Sequence, residues 1–175
     1  MSKWELFALI VLVVFIWKLS HKAGRLDRLH HRIEVAHVAL DGHLARRAGI
    51  IAELGQAVQN QQLVILAHQA LTINPTDLDA RSIVENQMMS ELNQTFSDSA
   101  TVAEWLTEAR IAALVEDLQT DNLRVQLSRR FHAEAVRAAL NLRDQRLVRW
   151  FHLAGRAARP ATLDFDDSLP VTLGN

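Results

Sequence analysis

The sequence predicts an all-α protein, a transmembrane helix that runs on into a long antiparallel bundle of three to four helices. Three observations carry this prediction. Residues 6–17, LFALIVLVVFIW, form an unbroken apolar run. Beyond it, apolar residues recur every three or four positions, with no proline before Pro75. The 175 residues include only six Gly and three Pro, and Ala, Leu, Arg and Glu are abundant, a composition that favours helix.

The apolar run is flanked by Trp4 and Trp17, whose rings suit the two membrane interfaces, and by Glu5 and Lys18, which can reach headgroups. A spanning helix needs about 20 apolar residues and at least about 17, so residues 4–20 just suffice. A cleavable signal peptide would want positive charge before the run and small residues after it. Only Lys3 precedes it, and LSHKAGRLDRL follows without a small-x-small site. A helix of a soluble core is the other alternative, but a helix apolar on every face has little to bury against at a chain end. Lys18, Lys22, Arg25, Arg28 and Arg32 follow the run, against Lys3 before it, so the positive-inside bias expects the N-terminus outside and the bulk of the chain in the cytoplasm. The expected anchor residues are therefore Trp4, Trp17, Lys18, Lys22 and Arg25. The absence of Cys removes any disulfide framework.

The expected organisation is an anchor over 1–21, one helical bundle over 22–160 and a tail over 161–175. The net charge of −1 conceals strong alternation: +3 over 18–59, −7 over 60–120, +6 over 121–160 and −3 over 161–175. Helices of opposite sign can lie side by side, though exposed pairs guide packing more than they stabilise it.

In chain order, Leu26, Leu29, Ile33, Ala36, Leu40, Leu44, Ala48, Ile51, Leu54 and Val58 make one face of a long amphipathic helix. Gly24, Gly42, Gly49 and Gly55 each cost it up to about 1 kcal/mol relative to Ala, and they read as points of close approach for a neighbour. Gln59-Asn60-Gln61-Gln62 is a polar dip, after which residues 63–71 resume apolar spacing. Asn74-Pro75-Thr76-Asp77 is the clearest turn, with Thr76 or Asp77 free to cap the next helix. Residues 78–96 predict an acidic helix with Ile83, Met88, Leu92 and Phe96 inward. Ser97-Asp98-Ser99 supplies a second turn, with Ser99 or Thr101 as cap.

From Thr101 to about Gly155 the pattern reads as one long helix or two nearly collinear ones, ended by Gly155 and Pro160. One stripe holds Leu118, Val125, His132, Val136, Ala139, Leu147 and Trp150. A second holds Leu127, Phe131, Ala135, Ala138 and Leu142. Together they are wide enough to touch two helices at once. Residues 161–175, with Phe165 their one aromatic, read as an extended or loose tail.

Two blocks resemble the LemA family of small membrane-anchored bacterial proteins. After the apolar run comes LDRLHHRIEVAHVALDGHLARRAGIIAEL, in which Leu26, Leu29, Arg32, Ala36, Leu40, Leu44, Arg46 and Arg47 follow the family's L..L..R...A...L...L.RR pattern. Towards the other end is SRRFHAEAVRAALNLRDQRLVRWFHLAGRAARP followed by FDD, with Arg129, Arg130, Val136, Pro160 and Phe165 in family-like places. Phe131-His132 departs from the Tyr-Asn of many members. Residues 60–110 show no clear match. The resemblance implies an anchored helical bundle and carries no reaction with it.

Candidate chemistry is sparse. Asp27, His30, Glu34 and His37 share a helical face, and Glu34-x-x-His37 has the spacing of carboxylate di-iron bundles. No second Glu-x-x-His exists to complete such a site, so these histidines read as solvated or headgroup-facing. There is no Cys nucleophile, no G-x-S-x-G and no phosphate-binding glycine loop. His132, on the apolar stripe, reads as a core histidine. The arginines of 124–159 are spread around their helix, which argues against a nucleic-acid face. The cations of 18–32 lie where each can gain about 1 kcal/mol from anionic lipid.

The expected function is a non-enzymatic, membrane-anchored scaffold or accessory subunit of a membrane complex, without cofactor or small-molecule substrate. Its expected partners are membrane lipid and either further copies of itself or other complex subunits. Phe131, Trp150 and Phe151 are the expected contact residues. The alternatives are a metal-dependent enzyme using the His30/Glu34/His37 face and a basic protein that binds an anionic lipid surface.

Overall fold

A computed structural model describes residues 3–145, 150 and 159–174. The elements are α1 (Lys3–Ala57), α2 (Gln61–Thr72), α3 (Leu78–Thr95), α4 (Ser99–Trp105) and α5 (Ala109–Arg143). Among the described residues there is no strand. The protein is an all-α bundle, and the chain divides into two compact units. One comprises Met1–Val35 with Glu134–Pro160, the other Ala36–Ala133 with Ala161–Asn175.

In the first unit, α1 carries the apolar run. Every described large side chain of residues 6–17 is solvent-exposed, from 37% at Phe15 to 65% at Trp17. Among the described residues, no helix is long and apolar enough to cross a membrane. Twelve apolar residues rise only about 18 Å, against a hydrocarbon core of about 30 Å. Any span would therefore need the amphipathic flanks at Trp4 and Lys18. On α5, Ala135, Val136, Ala139 and Leu142 are buried, and Arg159 pairs with Asp144 at 3.1 Å on the surface.

The second unit holds the main core. Leu40, Leu44, Ala48, Ile51 and Leu54 of α1 are buried, as their spacing predicts. They meet Leu63, Leu66, Ala67 and Ala70 of α2, Met88, Met89, Leu92 and Phe96 around α3, and Ile111, Val115 and Leu118 of α5. The pairings fix the directions. His37 faces His132, Arg47 bonds Asn122 and His43 approaches Asp121, so α1 and α5 run antiparallel. Asp41 meets Arg81 and Arg47 meets Glu85, so α1 and α3 run parallel.

The junction of α1 and α2 is built by three residues. Gln59 takes φ 59°, the left-handed conformation in which a helix can end. Its N–H bonds Gln56 O at 3.2 Å, and the Asn60 N–H bonds Gly55 O at 2.8 Å, which is a Schellman ending. Gly55 has to be small, because a Cβ there would stand 3.0 Å from Val64 Cγ2 and 3.3 Å from Leu63 Cβ. Gly42 and Gly49 face open space, so of the helix's glycines only Gly55 is a packing device. Asn60 then caps α2 by accepting from Leu63 N, while its Nδ2 donates to Glu91 Oε1 and Thr95 Oγ1. The start of α2 thus meets the end of α3, and these two helices are antiparallel.

Asp77 caps α3 as the Asn-Pro-Thr-Asp turn predicts. The next cap differs from expectation. Asp98, not Ser99 or Thr101, accepts from Ala100 N and Thr101 N and from the Thr101 hydroxyl, and these bonds hold its carboxyl below the usual carboxylate range. Ile83 was expected inward but is exposed. The buried face of α3 runs through Arg81, Glu85, Met88 and Leu92, and Ile83 lies about 200° round the helix from Arg81. The expected helix from Thr101 is broken at Leu106–Glu108 without Pro or Gly, where Thr107 N bonds Glu104 O and Glu108 N bonds Trp105 O. Phe96 and Trp105 meet edge to face at 5.4 Å and hold this corner. α5 ends at Arg143, and the expected ending at Gly155 lies outside the described residues.

Residues 161–175 do not form a loose tail. Leu163, Phe165 and Leu173 are buried, the first two in a cluster with Leu40, Leu44 and Val125. The Thr172 hydroxyl donates to Phe96 O and Gln119 Nε2 to Leu173 O. Phe165→Ala should therefore lower unfolding free energy by about 3–5 kcal/mol in urea melts followed by circular dichroism, where a loose tail would show no change. Gln59→Gly should stabilise the protein by about 1 kcal/mol in the same assay, because glycine enters the left-handed region without the side-chain clash.

Candidate functional site

The helices of the second unit converge on a buried charge network. Arg47 sits on the apolar face of α1, three residues after Leu44, and is fully buried. Its Nη2 donates to Glu85 Oε2 at 2.8 Å and its Nη1 to Asn122 Oδ1 at 2.9 Å. Arg81, one turn before Glu85, donates from Nε to Glu85 Oε1 at 3.0 Å and pairs with Asp41 Oδ1 at 3.3 Å. Glu85 therefore has a guanidinium on each oxygen. Two cations and two carboxylates leave this inner cluster electrically neutral.

The network reaches the C-terminal segment through α5. Asn122 Nδ2 and Gln126 Nε2 both donate to Asp167 O, while Arg129 donates to Asp167 Oδ2 at 2.9 Å and to Asp164 Oδ1 at 3.0 Å. The guanidinium of Arg47 lies 5.3 Å from the centre of the Phe165 ring and that of Arg129 5.0 Å. A guanidinium over an aromatic ring is attracted by the negative face of the ring. Asp166 accepts from the hydroxyl and the N–H of Ser168, which lowers its pKa; its own N–H donates to Asn86 Oδ1.

A second acid lies outside this cluster. The Asp121 carboxylate is buried and neither oxygen has a hydrogen-bond partner. Arg46 Nε, Arg124 Nη1 and His43 Nδ1 stand 3.4, 3.6 and 3.8 Å from Oδ1, so charge attraction compensates it without direct bonds.

The expected metal face does not converge on a ligand set. His37 Nε2 lies 3.1 Å from Pro75 O, and its ring packs on His132 at 5.6 Å. Glu34 instead approaches His31 at 3.9 Å, with both side chains exposed. Among the described residues, no group of three or more His, Cys, Asp or Glu could hold a metal ion. His132 is a core histidine. Burial first, and the neighbouring His37 second, lower its pKa.

Of the expected anchor residues, Trp4, Trp17, Lys18 and Arg25 are exposed on α1, and the Lys22 side chain is outside the description. Of the expected contact residues, Phe131 and Trp150 are exposed, at 54% and 83%, and Phe151 lies outside the described residues. Of the first stripe of α5, Val125, His132 and Val136 are buried; of the second, Ala135 and Leu142 are buried, while Leu127 and Phe131 turn outward beside Leu123. Sequence reasoning missed the Arg47–Glu85 pair. The available signal was an opposite charge on the apolar stripe of each of two helices.

No family model, no curated protein and no solved structure matches the chain. These comparisons lend no support to a place in the LemA family.

Glu85→Ala should cost about 3–5 kcal/mol, because it strands two buried guanidiniums. Arg47→Met with Glu85→Leu should cost far less than the sum of the single changes in a double-mutant cycle by urea unfolding. The lowered pKa of His132 sets a pH dependence. The unfolded chain takes up the proton first, near pH 6.5, so stability falls as pH drops below that value and levels off below the folded-state pKa. His132→Leu should flatten this acid limb in melts between pH 7.5 and 5.

Proposed function

We propose that this protein is a membrane-anchored, non-enzymatic scaffold or accessory subunit that works by contact. The observation that carries the reading is the apolar run of residues 6–17, whose described large side chains are all solvent-exposed. Surface of that kind needs lipid or protein to cover it. With the flanks, residues 4–20 rise about 25 Å, which a bilayer can meet by slight thinning and by Lys18 reaching to the headgroups. The cations after the run would keep the bulk of the chain cytoplasmic and the N-terminus outside. A place among LemA-like proteins is consistent with this arrangement.

The contact surface is argued from α5. Leu123, Leu127 and Phe131 are exposed at spacings of four, which aligns them along one side of the helix. A second copy of the chain or a membrane-complex subunit would cover them.

Single cysteines at Ser2 and Asn175 test the topology, since the chain has no other Cys. An impermeant thiol reagent on intact cells should label position 2 and spare position 175; labelling of 175 alone reverses the orientation. Phe131→Ala with Leu127→Ala should release the protein from its assembly on a native gel without loss of helicity, since truncated hot-spot aromatics cost about 2 kcal/mol or more. A wild type that runs as a lone monomer from native membranes sinks the scaffold reading.

A further inference from the structure

Directly after the apolar run, α1 carries a concavity of about 270 Å³ lined by Trp17, Ser20, His21, Gly24 and Arg28. Their spacing of three, one, three and four places them on one face of the helix. Trp17 and His21 stack, with ring centres 5.9 Å apart and planes inclined by 18°, and make an aromatic wall. Gly24 leaves the floor bare. Arg28 folds back over it, with Nη1 3.9 Å from where a Cβ on Gly24 would stand. Arg28 has no ion pair or hydrogen bond among the described residues, so its guanidinium is available for an anion.

We propose that this concavity binds the phosphate of an anionic phospholipid. The inference rests on the membrane-anchored reading above. Guanidinium forks match phosphate oxygens bidentately, and a serine hydroxyl and an imidazole N–H can supply further donors. The depth is right for a headgroup. Ser20 lies about 4.5 Å along the helix beyond Trp17, and Gly24, over which the Arg28 guanidinium turns, about 10 Å. Helical side chains lean toward the N-terminus, which brings the Arg28 fork back to the lipid surface. Trp17 would sit where the acyl chains begin. The apolar run delivers this site to a bilayer, so the source is lipid and not free phosphate.

The full chain in phosphatidylcholine bilayers can be tested by electron spin resonance with spin-labelled phosphatidylglycerol and spin-labelled phosphatidylcholine. The anionic label should be immobilised in preference. Arg28→Gln should cut that preference about tenfold or more, because it removes charge-assisted bonds to the phosphate as well as one surface cation. Arg25→Gln removes the same charge outside the concavity and should cut it much less. Millimolar inorganic phosphate should not release the label. Equal losses in the two variants would mean a diffuse field of cations and overturn the site, as would displacement by inorganic phosphate. Both labels immobilised without preference would sink the site and leave the anchor standing. Neither label immobilised would sink the anchor and the site together.

Discussion

The Arg47–Glu85 pair is the constraint on which the second unit depends. Burying one guanidinium without a partner would cost several kcal/mol, so α1 and α3 can approach only in the register that brings these two side chains together. Arg81 and Asp41 repeat the requirement one and a half turns away, and Asn122 extends it to α5. Apolar surfaces tolerate sliding by a turn. A buried carboxylate held by a different guanidinium on each oxygen does not. The hydrophobic core supplies the drive to collapse, and the network selects one alignment of three helices from the many a helical pattern permits.

The C-terminal segment completes that selection without forming any helix. Phe165 enters between two guanidiniums and covers Arg47, while Asp167 takes bonds from Asn122, Gln126 and Arg129. Its acids answer the positive charge of α5, as the sign alternation along the chain anticipates. The −3 of residues 161–175 is spent largely on Arg129 and on the local turn at Ser168. The inner cluster of Arg47, Arg81, Glu85 and Asp41 is electrically neutral, and it locks the register of the helices that carry it.

The division between buried and exposed charge also explains why the network escaped a reading by pattern. A helical stripe is recognised by apolar residues, and an arginine on the stripe at position 47 looks like an interruption. Its neighbour Arg46 is exposed and approaches the buried Asp121, so adjacent arginines have opposite environments one hundred degrees apart on the same helix. The same limitation applied to α3. Ile83 carries more hydrophobicity than Arg81, yet the charged residue is the one inside, because Glu85 and Asp41 were there to receive it.

The sequence by itself determined the all-α class, the long first helix, the Asn-Pro-Thr-Asp turn with its Asp77 cap and the inward stripe from Leu40 to Leu54. These follow from local periodicity and from groups that bond within four residues of themselves, so neighbours in sequence suffice to specify them. Only the tertiary structure decided the burial of Arg47 and Glu85, the corner at Leu106–Glu108, the outward turn of Leu127 and Phe131, and the seating of Phe165. Each of these depends on a partner between about ten and eighty or more residues away, or on which of two apolar stripes finds a helix to cover it. No periodicity within a single helix records such a partner, because its energy comes from desolvation and pairing that exist only once the elements have met.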